Sequence, residues 1–390
     1  MGIVRLLLAL SVVLFHIPGT PFRMINGLVA VVLFFMISGF LMAVIINEKY
    51  TIGKKPSWVT TFYVSRLWRL FPAYWATLAF MVVWFIGTDG PNPFTLHTEG
   101  SMLKQVLLMF PNLLIVGQDW HQFLTRVVVE QAGPQWMINL LTNGTTPRLN
   151  NMQMAVGHAW SLSAEICFYA VAPFILVSRR TTFIVAGAAL LFRFLLIMVF
   201  EQRGGIWGYY WFPGNFCMFM LGATSYHLHK MLPPREYHRA IGATALACFI
   251  AWLAIFALKD GVILESPTDW SIDRPRFWIL YILFAASIPF VFTLTKDVDR
   301  RIEGSSRLGI WSKVIMWDRE LGDLSYSLYL IHGIVVGLIY YRWNAPRGMY
   351  SDMIMAVFMC LVAAYILNRF VEQPAEALRR RWADGRLRKT

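Results

Sequence analysis

Three places in the sequence put ionisable side chains inside apolar stretches. In the first, "GIVRLLLALSVVLFHI", Arg5 and His16 are 11 residues apart, which is about three helical turns and about 16 Å along a helix axis. The two side chains would therefore lie on nearly the same face, with the histidine deep in the segment. Arginine can bind an anion, and a neutral imidazole can act as general base or nucleophile near pH 7. The alternatives are a snorkelling arginine and a histidine that only bonds a neighbouring helix.

The second place is "FYVSRLWRLFPAYW". Arg66 and Arg69 are three residues apart, so a helix would present them on one face. Paired guanidinium groups bind phosphate at two points and keep their charge. The alternative interpretation is that both arginines only anchor the cytoplasmic end of a span.

The third place is "HAWSLSAEICFYAVAPF", at 158–174. His158, Ser161, Glu165 and Tyr169 follow helical spacings of three, four and four residues, which predicts a polar stripe on a largely apolar helix. An ionisable group at the centre of a bilayer costs about 2.5 to 3.5 kcal/mol, so it normally faces a cavity or a partner. The alternative is a structural hydrogen bond between helices.

The segments that must position these residues are apolar and recur along the whole chain. Of 390 residues, 57% are hydrophobic and 15% are charged, which exceeds what one soluble core could bury. Backbone polar groups find no partner in lipid, so such segments must be helical. The sequence predicts an all-α, polytopic integral membrane helical bundle of about ten transmembrane helices. They cover residues 3–20, 27–46, 71–88, 158–178, 182–200, 206–229, 240–258, 277–295, 321–341 and 351–371.

The distribution of basic residues predicts the orientation of the bundle. With the N-terminus inside, 23 of the 35 lysines and arginines lie on the cytoplasmic side and ten on the other. Both termini are therefore predicted to be cytoplasmic. The net charge of +13 is then explained by basic residues that set the topology and contact anionic lipid, and it does not indicate nucleic-acid binding. No disulfide framework or zinc site is predicted, because the four cysteines lie in apolar segments without metal-ligand spacing.

The longest connection on the outer side covers residues 89–157. It contains "VLLMFPNLLIVG", an apolar run that is short for a span and is interrupted by Pro111. The run predicts an interfacial or re-entrant helix.

Several short motifs follow one another along the chain in a fixed order. They are "RLLLALSVVLFH", "LFFMISGFLM", "RLWR", "WSLSAEICFY", "LGDLSYSLYLIH" and "VEQP". In this order and spacing, the chain resembles the acyltransferase family 3 proteins, the membrane O-acyltransferases of bacteria and some eukaryotes. The resemblance implies a transmembrane acyltransferase domain at 1–375, followed by a basic cytoplasmic tail at 376–390.

The resemblance also implies an activity and a set of site residues. Members commonly move an acetyl or other acyl group from cytoplasmic acyl-CoA to a hydroxyl of a glycan, lipopolysaccharide or similar acceptor. Carried over to this sequence, the catalytic residues are His16 and Glu165, and the residues that bind acyl-CoA are Arg5, Arg66 and Arg69. The implied partners are acetyl-CoA or another acyl-CoA, a glycan or lipid-linked saccharide and membrane lipid, with no metal and no nucleic acid. The implied location is the bacterial inner membrane, as a multi-pass protein.

The residue types suggest a role for each of these positions. The three arginines would hold the phosphates of acyl-CoA, and His16 would act as general base or carry the acyl group. Glu165 would orient His16 and stabilise its cation, or hold the acceptor hydroxyl. The segment 89–157 is expected to determine the choice of acceptor.

Other polar residues and other functions fit the same pattern. Ser38 and Gly39 predict a surface where helices approach closely. His332 is predicted to make a structural hydrogen bond in preference to carrying a proton. Ten spans with buried Arg, His and Glu also suit a proton-coupled transporter or exporter of a polar solute, although no internal repeat is visible. A scaffold subunit is a third, weaker interpretation.

Overall fold

The structure, a computed structural model, describes residues 1–50, 57–88, 110–142, 154–200, 204–232, 235–260, 275–303, 310–343 and 347–388. Within these ranges the chain is helical and contains no strand. The helices are α1 (Gly2–His16), α2 (Gly27–Ile45), α3 (Trp58–Thr88), α4 (Gln118–Val129), α5 (Gln135–Thr142), α6 (Trp160–Ile175), α7 (Arg179–Phe200), α8 (Gly204–Tyr209), α9 (Phe212–Met231), α10 (Arg235–Asp260), α11 (Pro275–Glu303), α12 (Ile310–Gly337), α13 (Tyr350–Leu367) and α14 (Gln373–Arg388). Short π-helical segments extend α2, α12 and α13: Ile46–Tyr50, Leu338–Arg342 and Asn368–Glu372.

Within the described ranges, six helices are long and apolar enough to cross a membrane: Gly27–Tyr50, Trp58–Trp84, Arg179–Phe200, Pro275–Leu294, Trp317–Tyr340 and Tyr350–Ala383. Three apolar helices are shorter: Gly2–His16, Trp160–Ile175 and Ala240–Ala254. Each of these helices overlaps one of the predicted spans. The all-helical, multi-pass membrane architecture is therefore confirmed, while the count of ten and the cytoplasmic termini stay predictions.

The remaining predicted span, 206–229, is two helices in the structure. α8 ends at Tyr209, and α9 begins at Phe212 with a proline in its first turn. The buried side chain of Arg193, on α7, donates hydrogen bonds to the carbonyl oxygens of Gly208 and Gly214 on either side of the break. This arginine satisfies carbonyl groups that lipid could not, which explains a charged residue inside a span.

Helices α2 and α9 form one of the closest contacts in the bundle. A Cβ atom added to Gly39 would lie 1.9 Å from the carbonyl oxygen of Phe219. A Cβ atom added to Gly222 would lie 1.8 Å from the carbonyl oxygen of Met36. Only glycine permits this backbone approach at both positions, as the sequence predicts for Gly39.

We expect alanine at Gly39 or Gly222 to force the two helices apart and to destabilise the protein by about 1 to 3 kcal/mol, the usual cost of overpacking. Gly187→Ala is the matched control, because no atom lies within 4 Å of its added Cβ. The measurement is the fraction of monodisperse protein that remains in detergent after stepwise heating. Equal loss in all three variants would contradict the close packing of α2 on α9.

The apolar run before α4 lies only partly within the described residues. Its described part, 110–117, begins with one helical turn at 110–114, after which Ile115 and Gly117 take positive φ angles of 65° and 90°. The Tyr74 hydroxyl donates to the Asn112 carbonyl at 2.6 Å, which ties this turn to α3. The helical turn thus ends before Ile115, and the prediction of an interfacial or re-entrant helix stays a prediction. The segment leads into α4, which packs on α6 through a 2.7 Å hydrogen bond from Ser163 to Asp119.

Candidate functional site

Among the cavities that described residues line, two lie at opposite ends of α1 and α2. The first, of about 310 Å³, lies beside the first turns of α1 and the last turns of α2; we call it the arginine cavity. Its lining includes Arg5, Ser38, Arg66, Arg69, Glu165, Tyr169, Asp323, Tyr329 and Arg379. The second, of about 440 Å³, lies beside the end of α1 and the start of α2; we call it the histidine cavity. Its lining includes His16, Gln122, Arg126, His158, Trp160, Tyr209, Tyr210 and Tyr329.

Three guanidinium groups converge on the arginine cavity. Arg5 comes from the first turn of α1, and Arg66 and Arg69 come from adjacent turns of α3. Within the described part of the chain, none of these three side chains donates a hydrogen bond to a protein acceptor or forms an ion pair. Their donors are therefore available to an anion in the cavity. The structure brings the three predicted donor-binding residues together.

Aromatic rings and an ion pair shape the same cavity. The Arg66 side chain is only 7% exposed, and its guanidinium lies 5.9 Å from the ring centre of Phe62 and 6.0 Å from that of Tyr169. These rings hold the guanidinium without neutralising it. Arg379 also lines the cavity, but it is paired with Glu376.

Glu165 belongs to the arginine cavity. Its Oε1 accepts hydrogen bonds from the Ser38 hydroxyl at 2.6 Å and from the Tyr169 hydroxyl. The first bond joins α6 to α2, so Ser38 has a polar role in addition to the small size that the sequence suggests. Glu165 and Asp323 are the carboxylates that line this cavity, facing the arginines.

His16 ends α1 and is exposed to the histidine cavity. Its Nδ1 lies 2.9 Å from the carbonyl oxygen of Val12. A carbonyl can only accept, so this bond assigns the imidazole proton to Nδ1 and leaves the lone pair of a neutral ring on Nε2. Nε2 makes no hydrogen bond to a described residue. The side chain is thus prepared to take up a proton or an acyl group at Nε2.

Two further histidines lie behind His16. The ring centre of His332 is 4.9 Å from that of His16 and 4.4 Å from that of His158. His332 Nδ1 lies 2.7 Å from the Tyr329 carbonyl, and His158 Nε2 lies 3.0 Å from the Leu330 carbonyl. Among the described residues, no group of three or more His, Cys, Asp or Glu side chains could hold a metal ion.

The structure does not bring Glu165 and His16 together. Glu165 bonds residues of the arginine cavity, whereas His16 contacts Val12 and His332 at the other end of α1. The prediction that Glu165 orients His16 is therefore wrong, because the two side chains sit in different cavities. The predicted stripe is divided in the same way, since His158 lines only the histidine cavity and Tyr169 only the arginine cavity.

Tyr329 and Val31 line both cavities and form the partition between them. The Tyr329 hydroxyl lies 2.6 Å from the Ser161 hydroxyl and donates to the His158 carbonyl at 3.1 Å. These bonds join α12 to the start of α6. Sequence reasoning missed Tyr329, although it lies three residues before His332 in a quoted motif and would share its helical face.

Comparison with known proteins gives one match. A family model described as an acyltransferase domain matches residues 1–369. No curated protein and no solved structure matches the chain. Apart from Arg379, every residue that lines either cavity falls within the matched range.

Proposed function

Since the chain belongs to acyltransferase family 3, we propose that it is a membrane O-acyltransferase of the bacterial inner membrane. It moves an acyl group, in the simplest case acetyl, from acyl-CoA on the cytoplasmic side to a hydroxyl of a glycan, lipopolysaccharide or similar cell-surface acceptor. Family membership favours this function over a proton-coupled transporter or a scaffold.

The convergence of Arg5, Arg66 and Arg69 is the observation that carries the proposal. The nucleotide end of acyl-CoA bears several phosphate charges, and guanidinium groups are suited to bind them bidentately. The three side chains come from two helices and face one cavity, and no described carboxylate is bonded to them. An arrangement of this kind is costly in a membrane protein unless an anion occupies it.

The distance between the arginines and His16 fits the rest of the donor. Arg5 and His16 are separated by 11 residues of one helix, or about 16 Å. The flexible pantetheine arm of CoA is extended enough to place its thioester this far from its phosphates. The nucleotide would therefore stay in the arginine cavity while the thioester reaches past Tyr329 toward the histidine.

His16 Nε2 is the atom that we assign to the transfer. As general base it takes the proton of the acceptor hydroxyl while the oxygen attacks the thioester carbonyl, the C–S bond breaks, and the CoA thiolate leaves and is protonated. As acyl carrier it attacks the thioester itself, releases CoA, and then yields the acyl group to the hydroxyl. Both courses need an unprotonated Nε2, which the bond from Nδ1 to Val12 provides.

Glu165 has a different role in this proposal from the one that the sequence suggests. It fixes the hydroxyls of Ser38 and Tyr169 at the wall of the arginine cavity. It also places a negative charge opposite the guanidinium groups, so that their spacing is set before the donor binds. We therefore assign Glu165 as a positioning residue on the donor side.

Vesicles of defined orientation test both the activity and its sidedness. We expect inverted membrane vesicles, which expose the cytoplasmic face, to transfer radiolabel from added acetyl-CoA into their glycan or glycolipid fraction. Right-side-out vesicles should not, because acetyl-CoA does not cross the membrane. Inverted vesicles from cells without the gene are the control, and mass spectrometry of the labelled fraction identifies the acceptor. Equal labelling with and without the gene would refute the proposed function.

A further inference from the structure

A fourth arginine lines the arginine cavity and has no part in the function proposed above. Arg379 lies on α14, beyond residues 1–369, which the family model matches. Its side chain is only 11% exposed, yet it lines the same cavity as the three arginines from α1 and α3. Burying a charge is costly unless the charge is paired, so the partner of Arg379 decides what the side chain can still bind.

Glu376 is this partner, and it holds one edge of the guanidinium group. Arg379 Nε donates to Oε2 of Glu376 at 2.5 Å, and Nη2 donates to Oε1 of the same carboxylate, one turn earlier on α14. Such a two-point bond fixes the plane of the guanidinium group as well as its position. Nη1 donates to no residue in the described part of the chain, so its two N–H groups remain for a ligand.

The carboxylate fixes Arg379 without neutralising its surroundings. Oε1 of Glu376 also accepts a hydrogen bond from Arg380 Nε at 2.8 Å, and the Arg380 side chain is 68% exposed. Two arginines and one carboxylate leave this group with one net positive charge. The group therefore attracts an anion, while the ion pair keeps the free edge of Arg379 in one orientation.

Contacts between α14 and α3 show where Arg379 lies along the cavity. Glu372, just before α14, and Glu376 line a small cavity together with Arg69. One turn further along α14, the charge of Arg379 is close enough to that of Arg66 to repel it. Since Arg66 precedes Arg69 on α3, Arg379 lies nearer to the start of α3 than Glu376 does. The start of α3 is the end that is predicted to be cytoplasmic.

The order of chemical groups along acyl-CoA agrees with this arrangement. The thioester is at one end, the diphosphate follows the pantetheine arm, and the 3′-phosphate on the ribose is at the other end. If the thioester reaches past Tyr329 toward His16, the 3′-phosphate lies on the predicted cytoplasmic side, where Arg379 is. A phosphate monoester carries about −1.5 to −2 charges near pH 7 and offers three acceptor oxygens, which suits one free guanidinium edge.

We propose that Arg379 binds the 3′-phosphate of the donor and makes the protein select acyl-CoA over donors that lack this phosphate. Glu376 is its positioning residue, because it orients the guanidinium group before the donor binds. Arg5, Arg66 and Arg69 then bind the diphosphate, which acyl-CoA shares with its 3′-dephospho form. The assignment rests on the proposed function and adds to the donor site a helix outside the residues that the family model matches.

The test compares acetyl-CoA with acetyl-3′-dephospho-CoA, two donors that differ only in the 3′-phosphate. Inverted membrane vesicles are titrated with each donor, and the ratio of the two KM values measures the preference. We expect the wild type to prefer acetyl-CoA by about tenfold or more, the usual effect of one hydrogen bond to a charged group. Arg379→Gln should bring the ratio close to one, because the KM for acetyl-CoA rises while the KM for the dephospho donor and the maximal rate stay unchanged.

Arg381→Gln is the matched control, because this arginine is exposed on the same helix and lines neither cavity. Its preference should equal that of the wild type. Changing Arg66 and Arg69 to lysine should raise both KM values by the same factor and keep the preference. Glu376→Gln retains one acceptor oxygen, so it should lower the preference without changing the maximal rate.

The outcomes separate this assignment from the proposed function. If the wild type uses both donors equally well, or if Arg379→Gln keeps the wild-type preference, the assignment is overturned while the proposed function stands. If the wild type transfers acetyl from neither donor, the proposed function fails and the assignment fails with it. Should Arg379→Gln not accumulate, Arg379→Lys takes its place. Lysine cannot bind a carboxylate and a phosphate in one fixed plane, so an unchanged preference in this variant would also overturn the assignment.

Discussion

Replacing His16 with glutamine or alanine should abolish acyl transfer while the protein still inserts and accumulates. Glutamine can still donate a hydrogen bond toward the Val12 carbonyl, but it has no basic nitrogen to replace Nε2. Loss of a general base alone lowers a rate by about 10² to 10⁴, and loss of an acyl carrier removes the step altogether. The measurement is the rate of label transfer from acetyl-CoA in inverted vesicles, normalised to the amount of protein.

His121→Gln is the matched control for this experiment. His121 is another histidine of the bundle, on α4, and it lines neither cavity. We expect its glutamine variant to transfer acetyl at close to the wild-type rate. Near-normal transfer in His16→Gln would instead show that the histidine only holds its helix, and would exclude it as base or carrier.

The combined change of Arg66 and Arg69 to lysine should raise the KM for acetyl-CoA by about tenfold or more. Lysine keeps the positive charge that anchors the predicted cytoplasmic end of α3, so the orientation should be preserved. Lysine lacks the planar guanidinium group that binds phosphate through two hydrogen bonds. A hydrogen bond to a charged group contributes about 1.5 to 3 kcal/mol. Arg5→Lys should show a similar but smaller defect, because that arginine stands alone in its turn of α1.

The pair at the start of α7 provides the control. Arg179 and Arg180 are adjacent basic residues that line neither cavity, so changing both to lysine should leave the KM unchanged. The KM is measured with inverted vesicles over a range of acetyl-CoA concentrations. If the KM for acetyl-CoA of the Arg66 and Arg69 variant equals that of the wild type, the two arginines only set the topology. The proposed donor site would then be contradicted.

Local spacing predicted those parts of the site that lie on one helix. Arg66 and Arg69 are three residues apart, so any helix presents them together, and the same holds for Glu165 and Tyr169 at a spacing of four. Gly39 was predictable for a similar reason, since a small residue in a span marks a close approach between helices. Hydropathy likewise predicted the helical membrane architecture.

Contacts between helices could not be read from spacing. Periodicity shows which residues share a face, but not the depth at which that face meets another helix, and so Glu165 was paired with His16 in error. The break at Tyr210 was not predicted, because the carbonyl groups on either side of it bond Arg193 of another helix, a contact that no local pattern shows. The position of α4 depends on long-range packing against α6, to which no local pattern points.

The partition of Tyr329 and Val31 has an electrical consequence. Between two water-accessible cavities, most of a membrane voltage falls across the thin layer that separates them, at about 2.3 kcal/mol per elementary charge per 100 mV. In the proposed function the phosphates of CoA stay on one side of this layer, while the uncharged pantetheine arm and its acyl group reach past it. The membrane voltage therefore does no work on the transferred group, because that group carries no charge across the layer.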